Sequence, residues 1–127
     1  MVSFNSAGIR LWGTYIGDTI GATECESVAV DATCKIYITG ETLSSTTIAT
    51  PGAMQTTWAG GEDALVMKFH SNGAKIWGTY FGGSSDDWGF GICCDNNSNV
   101  CITGHTLSSS GIATAGAFQT NLLSGIS

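Results

Sequence analysis

Positive charge is scarce in this chain: Lys and Arg number 4 against 10 Asp and Glu, for a formal net charge of −6. A surface of that sign repels a phosphate backbone or an anionic bilayer, so no nucleic acid partner and no membrane insertion are expected. No run approaches the roughly 18 apolar residues that span a bilayer. The opening MVSFNSAGIR lacks the basic-then-apolar order of a secretion signal, so an exported form is expected to have lost one. Charged residues of either sign make up 11% of the chain, which leaves the straight-chain helix formers Lys, Glu and Arg in short supply. No two cysteines stand in the C-x-x-C spacing of a zinc site.

What the chain does have is 43% hydrophobic residues, enough for the core of one domain of 127 residues. It also has 18 Gly with abundant Ser and Thr, the composition of short strands joined by tight turns. The fold class expected is therefore all-β. Cysteine occurs 5 times, an odd number, so at least one thiol is free or pairs with another chain.

The chain repeats itself. LWGTYIG from Leu11 returns as IWGTYFG from Ile76, and Trp77 minus Trp12 gives a spacing of 65. ITGETLSS from Ile38 returns as ITGHTLSS from Ile102, and IATPGAMQT from Ile48 as IATAGAFQT from Ile112, now at a spacing of 64. VSFNSAG from Val2 matches MKFHSNG from Met67. Apolar and β-branched runs bounded by Gly, Asn, Asp and Ser divide each unit into four short strands, A to D. In one unit these are Ser27 to Asp31, Lys35 to Gly40, Asp63 to Phe69 and Lys75 to Phe81. The other has A at Gly91 to Asp95 and B at Asn99 to Gly104, while its C and D stand at the other end of the chain, Val2 to Phe4 and Arg10 to Ile16. The expected division is thus 1–17 as strands C and D, 18–82 as a complete unit and 83–127 as strands A and B.

The segments GGSSDDWGFGICCDNNSNVCITGHT, GGEDALVMKFHSNG and IWGTYFGG resemble the bacterial β-propeller repeat family abbreviated SBBP. The resemblance covers nearly the whole chain. It implies a blade of four antiparallel strands per repeat, an extracellular or cell-surface setting, and no shared catalytic residues. The first copy departs from the pattern where DTIGATECE follows from Asp18 and where Cys34-Lys35 replaces the turn residues.

About four to eight blades are needed to close a propeller, because each buries its faces only against neighbours. Two blades do not close alone. Met1 aligns with Val66 and Ser127 with Asp63, so both ends fall at nearly the same point of the repeat. The expected partner is therefore another copy of the chain: A and B of one copy are completed by C and D of the next, through Val2, Ser3, Phe4, Leu11, Trp12, Val100 and Ile102. Such contacts are heterologous and build a ring or a filament. The alternatives are an excised segment of a larger surface propeller and a glycan-binding propeller.

Other chemistry is sparse, and no catalytic residue is assigned. Asp95, Asn97 and Asn99 set oxygens at alternate positions, the start of a Ca²⁺ loop, yet the sixth-position Gly and the distal Glu are missing and the other copy has Asp31-Ala32-Thr33-Cys34-Lys35. A plain hairpin turn is the expectation, with no cofactor. Asn96 heads a glycosylation sequon. Cys93 and Cys101 flank the turn symmetrically, as a cross-strand disulfide or two small thiols, with Cys94 on the opposite, core-facing side. Trp12, Trp77, Tyr15 and Tyr80 recur and are expected to pack within the sheets. Trp58 and Trp88 do not recur, their counterparts being Leu122 and Thr23, and they are the candidates for stacking on a sugar ring. Glu41 and His105 are equivalent positions, an acid and an imidazole expected on one rim of the assembly.

Overall fold

The computed structural model describes residues 1–123. Eight strands make three antiparallel sheets, and no described residue is helical. Strands β1 (Val2–Phe4) and β2 (Arg10–Gly13) form a two-stranded sheet. Strands β3 (Thr23–Val30), β4 (Ile36–Thr42), β5 (Asp63–Phe69) and β6 (Lys75–Phe81) form a four-stranded meander in chain order. Strands β7 (Asp87–Cys94) and β8 (Val100–Thr106) form a second two-stranded sheet, and β7 lies against β3, β4 and β5.

Strands β5 and β6 fall where the apolar runs place them. The A and B strands run further than the apolar runs suggest: β3 starts at Thr23 and β7 at Asp87, while β4 and β8 end at Thr42 and Thr106. A bulge lets them continue. Pairing jumps from Cys25↔Gly40 to Ser27↔Thr39, leaving Glu26 without a partner, and in the other copy from Gly89↔Gly104 to Gly91↔Thr103, leaving out Phe90. The bulged backbone folds over the opposite glycine. A Cβ on Gly40 would overlap the Glu24 carbonyl, and one on Gly104 the Trp88 carbonyl. Conversely β2 stops at Gly13, short of the expected Ile16, because the unit it belongs to has only two strands here.

The core belongs to the four-stranded sheet. Ile38, Leu65, Met67, Phe69 and Tyr80 pack with Ile48 from the long β4–β5 loop, and Met1 and Ile16 close one side. The loop is fastened by polar contacts: the buried Tyr80 hydroxyl donates to the Ser44 carbonyl at 2.8 Å, and the Gln55 side chain accepts from Gly82 N–H and donates to Asp63. Trp12 packs on this sheet's β5–β6 turn, where its indole N–H donates to the Ser71 carbonyl. Gly73 (φ 86°) fits there twice over, as a left-handed residue and as the only one leaving room for the Trp12 ring, 2.7 Å from where a Cβ would stand.

Tyr15 departs from expectation. Tyr80 is 1% exposed, whereas its repeat counterpart Tyr15 is 103% exposed, because among the described residues no loop equivalent to 43–62 lies over β1 and β2. Cys94 is only half-buried, against β3 and β4, and burial pushes its thiol pKa up. Strand register also moves one counterpart: Trp88 pairs with His105 as Glu24 pairs with Glu41, so Trp88 matches Glu24 and not Thr23.

Candidate functional site

Three groups of side chains stand out, the first at the β7–β8 turn. Asp95 Oδ1 accepts the N–H groups of Asn97 and Asn99, Oδ2 accepts the Asn99 amide, and Ser98 takes a left-handed φ of 63°. The β3–β4 turn is the same despite its different spelling. Asp31 Oδ1 accepts from Thr33 and Lys35, and Cys34 takes a φ of 61°. Asn5 repeats the scheme with Ala7 and Ile9. Both Asp95 oxygens are thus engaged in forming the turn, and Asn99 offers Asp95 its donor side. Burial works to raise the Asp31 carboxyl, but hydrogen bonds from Lys35 N–H, Thr33 and Tyr37 outweigh it and hold the group below the usual carboxylate range. The side-chain bond of Asn99 does the same for Asp95. Asn96 is exposed at the tip.

A second group sits where β3 and β7 begin and β4 and β8 end. Trp88 stacks on His105 at 5.1 Å and 16°, and its indole N–H donates to Glu62 Oε2 at 2.5 Å. Trp58 is 37% exposed, its N–H donating to the Gly61 carbonyl, so both indoles are tied to the Gly61–Glu62 segment. One face of Trp88 and the N–H of each ring are already occupied. Glu41 lies opposite Glu24 in the ladder, and Glu24, Glu26 and Glu41 bring carboxylate oxygens within 4.8 Å of one another. Burial first, then Glu26, Glu24 and Glu62, push Glu41 up to about 7, and its Oε2 is buried without a partner. The charged groups around Glu41 are thus carboxylates, while the anticipated imidazole of His105 lies against Trp88. Strand letters alone did not expose this cluster; the signal was two glutamates two apart on one strand and a third opposite the first of them.

The third group is the largest. Among the described residues β1 pairs only with β2 and β8 only with β7, so each two-stranded sheet presents an open edge. A groove of about 600 Å³ runs beside β1, between Val2, Ser3 and Trp12 on one wall and Cys25, Val28, Val30 and Ile36 on the other. Val28 and Val30 are 60% and 61% exposed. Phe4 is 56% exposed where its counterpart Phe69 is 3%, and Leu11 is exposed as well. Val100 and Ile102 on β8 are half-buried. Cys93 and Cys101 are directly opposite in register, and both thiols are free and exposed.

An antiparallel meander flanked by two-stranded sheets whose residues recur at 64 and 65 is the pattern of a β-repeat protein, and comparison with known families agrees. Residues 76–112, from β6 through β8, match the family model described as the SBBP Beta-propeller repeat. Over that stretch the chain is similar to a repeat of that family. No curated protein matches it closely enough to count as a relative.

Proposed function

We propose that this chain is a non-enzymatic structural module, one complete propeller blade between two half-blades, whose copies join head to tail by completing one another's blades. The contact is heterologous, so it generates a closed ring where the rotation per copy divides a full turn and a filament where it does not. The observation that carries this reading is the tyrosine pair: the same residue at the same point of the repeat is 1% exposed at Tyr80 and 103% exposed at Tyr15. An aromatic ring left fully in water forgoes roughly 2 kcal/mol of burial, and the difference between the two positions is the presence or absence of the strands and loop that complete the sheet. Exposed Val2, Phe4 and Leu11 on the same half-sheet support the same conclusion, since contiguous apolar surface marks an interaction site. By family habit we place the module outside the cell or at its surface.

Light scattering with negative-stain microscopy tests the reading. Particles several times the 13.1 kDa chain mass are expected, as rings or fibres; a monodisperse single chain at all accessible concentrations overturns it.

A further inference from the structure

The geometry points to the groove beside β1 as the seat for the β7–β8 hairpin of a second copy, in one definite register. This rests on the head-to-tail reading above and specifies how the junction is built.

The register comes from within the molecule. Strands β4 and β5 pair Ile36↔Phe69, Tyr37↔Lys68 and Ile38↔Met67. Strand β8 is the repeat of β4 at a spacing of 64, and β1 that of β5 at 65. Substituting one for the other pairs β8 of one copy with β1 of the next as Val100↔Phe4, Cys101↔Ser3 and Ile102↔Val2. The β1–β2 ladder already matches β5–β6 in the same frame, with Ser3↔Trp12 standing for Lys68↔Trp77.

The groove fits that hairpin. Within the chain β7 packs across one face of β3 and β4. Val28, Val30 and Cys25 lie on their groove side, lining the wall opposite Ser3 and Trp12. A hairpin paired to β1 therefore lies over this strip, as β7–β8 lies over the other side. Its β4–β5-type register sets the Cys101 side chain on the face that Ser3 shares, since Tyr37 and Lys68 share one, with the ammonium 4.9 Å from the Tyr37 ring centre. The loop after β8 then reaches Tyr15, and the Tyr80 hydroxyl to Ser44 carbonyl bond has its repeat in Tyr15 to Ser108 of the other copy.

One residue keeps the junction from copying the packing inside the chain. Gly89 lets β7 approach Thr39 so closely that a Cβ there would overlap the Thr39 hydroxyl. Its repeat counterpart in the groove wall is Cys25, facing what becomes Thr103 of the incoming hairpin. Cys25 thus sets the spacing and strength of the contact between copies.

Disulfide trapping on the full chain tests the register. In a Cys93→Ser background, which frees Cys101 from its in-chain neighbour, Ser3→Cys is expected to give a ladder of covalent multimers under mild oxidation, with peptide mapping joining position 3 to Cys101. Val2→Cys, on the opposite face of β1, should leave position 2 unlinked to Cys101. Equal trapping at positions 2 and 3, or none at 3 while scattering still reports assembly, overturns the register and leaves the head-to-tail reading standing. A chain that stays single in scattering overturns both. Cys25→Gly should lower the concentration at which assembly begins several-fold; an unchanged or raised onset removes the role given to Cys25.

Discussion

Asp63 and Asp87 face each other across Gly82, close enough that a Cβ on the glycine would lie 2.8 Å from Asp63 Oδ1 and 2.7 Å from Asp87 Oδ2. They are 0% and 2% exposed and belong to neighbouring sheets. The donors are divided unequally. Asp87 accepts from Gly83 N–H, Thr106 and Ser108, while Asp63 uses only Oδ2, for Gln55 and Ala59 N–H, and its Oδ1 has no partner. That distribution sets Asp63 apart as the carboxyl whose pKa is raised, by burial first and by the neighbouring Asp87 as well.

The folded chain therefore holds a proton on Asp63 to higher pH than the unfolded chain, which releases it near pH 4. Stability from this group is complete below that pH and is lost as pH rises through the raised folded value. Asp63→Asn supplies a permanent N–H where Oδ1 stands and keeps the other acceptor. Melting measured from pH 4 to 8 should show a flatter profile for this variant and higher stability at the alkaline end. Asp87→Asn, which replaces one of the two oxygens that accept from Gly83, Thr106 and Ser108, should lose roughly 1–3 kcal/mol across the range. Equal damage from both substitutions at pH 8 would sink the assignment.

Glu41 has the same sign and a stated window. Its carboxyl moves from 4.5 unfolded to about 7 folded, so the native state falls in stability as pH climbs between those values. Glu41→Gln should remove that slope and stabilise the chain at pH 8 by on the order of 1 kcal/mol, discounted for the partial exposure of the site. Denaturant titrations at pH 5 and pH 8 measure it, and an unchanged difference between the two would show that the cluster is relaxed by solvent.

Much of this fold can be read from the letters, and the reasons it cannot all be read are local. Strands β5 and β6 are apolar and aromatic runs joined by a turn with Asn72-Gly73, so their limits are visible. The bulges at Glu26 and Phe90 are not, because they depend on what the opposite strand lacks, a Cβ at Gly40 and Gly104. At the β3–β4 turn Ala32-Thr33-Cys34 looks unlike Asn96-Asn97-Ser98, yet the backbones agree, since the turn needs only the leading Asp oxygen and one residue willing to go left-handed. For the candidate site the open edges were foreseeable from the phase of the repeat. The glutamate cluster and the Trp88–His105 stack required the register, which a shift of one residue would have scrambled.

The left-handed cysteine yields a stabilisation. A residue with a Cβ at φ 61° pays roughly 1 kcal/mol that glycine does not. Part of this is returned as greater freedom in the unfolded chain. Cys34→Gly should nonetheless raise the melting temperature by a few degrees, and Ser98→Gly at the matching turn should do the same. A fall at both positions would mean that side-chain contacts, not backbone strain, govern these turns.

The tyrosine pair separates the stability of one chain from the joining of two. Tyr80→Phe deletes a buried hydroxyl bond and leaves the Ser44 carbonyl unsatisfied, so the single chain should lose about 1 kcal/mol. Tyr15→Phe touches a side chain wholly in solvent and should leave melting unchanged when measured below the concentration at which scattering rises. Above that concentration the order reverses for assembly. The Tyr15 hydroxyl then meets the Ser108 carbonyl of the neighbouring copy, and its loss should weaken each junction by a similar amount, about a fivefold rise in the onset concentration. Were Tyr15→Phe to destabilise the single chain, the ring would be packed within that chain; were it to leave the onset unmoved, the β4–β5 loop would not be the pattern for what covers β1 and β2.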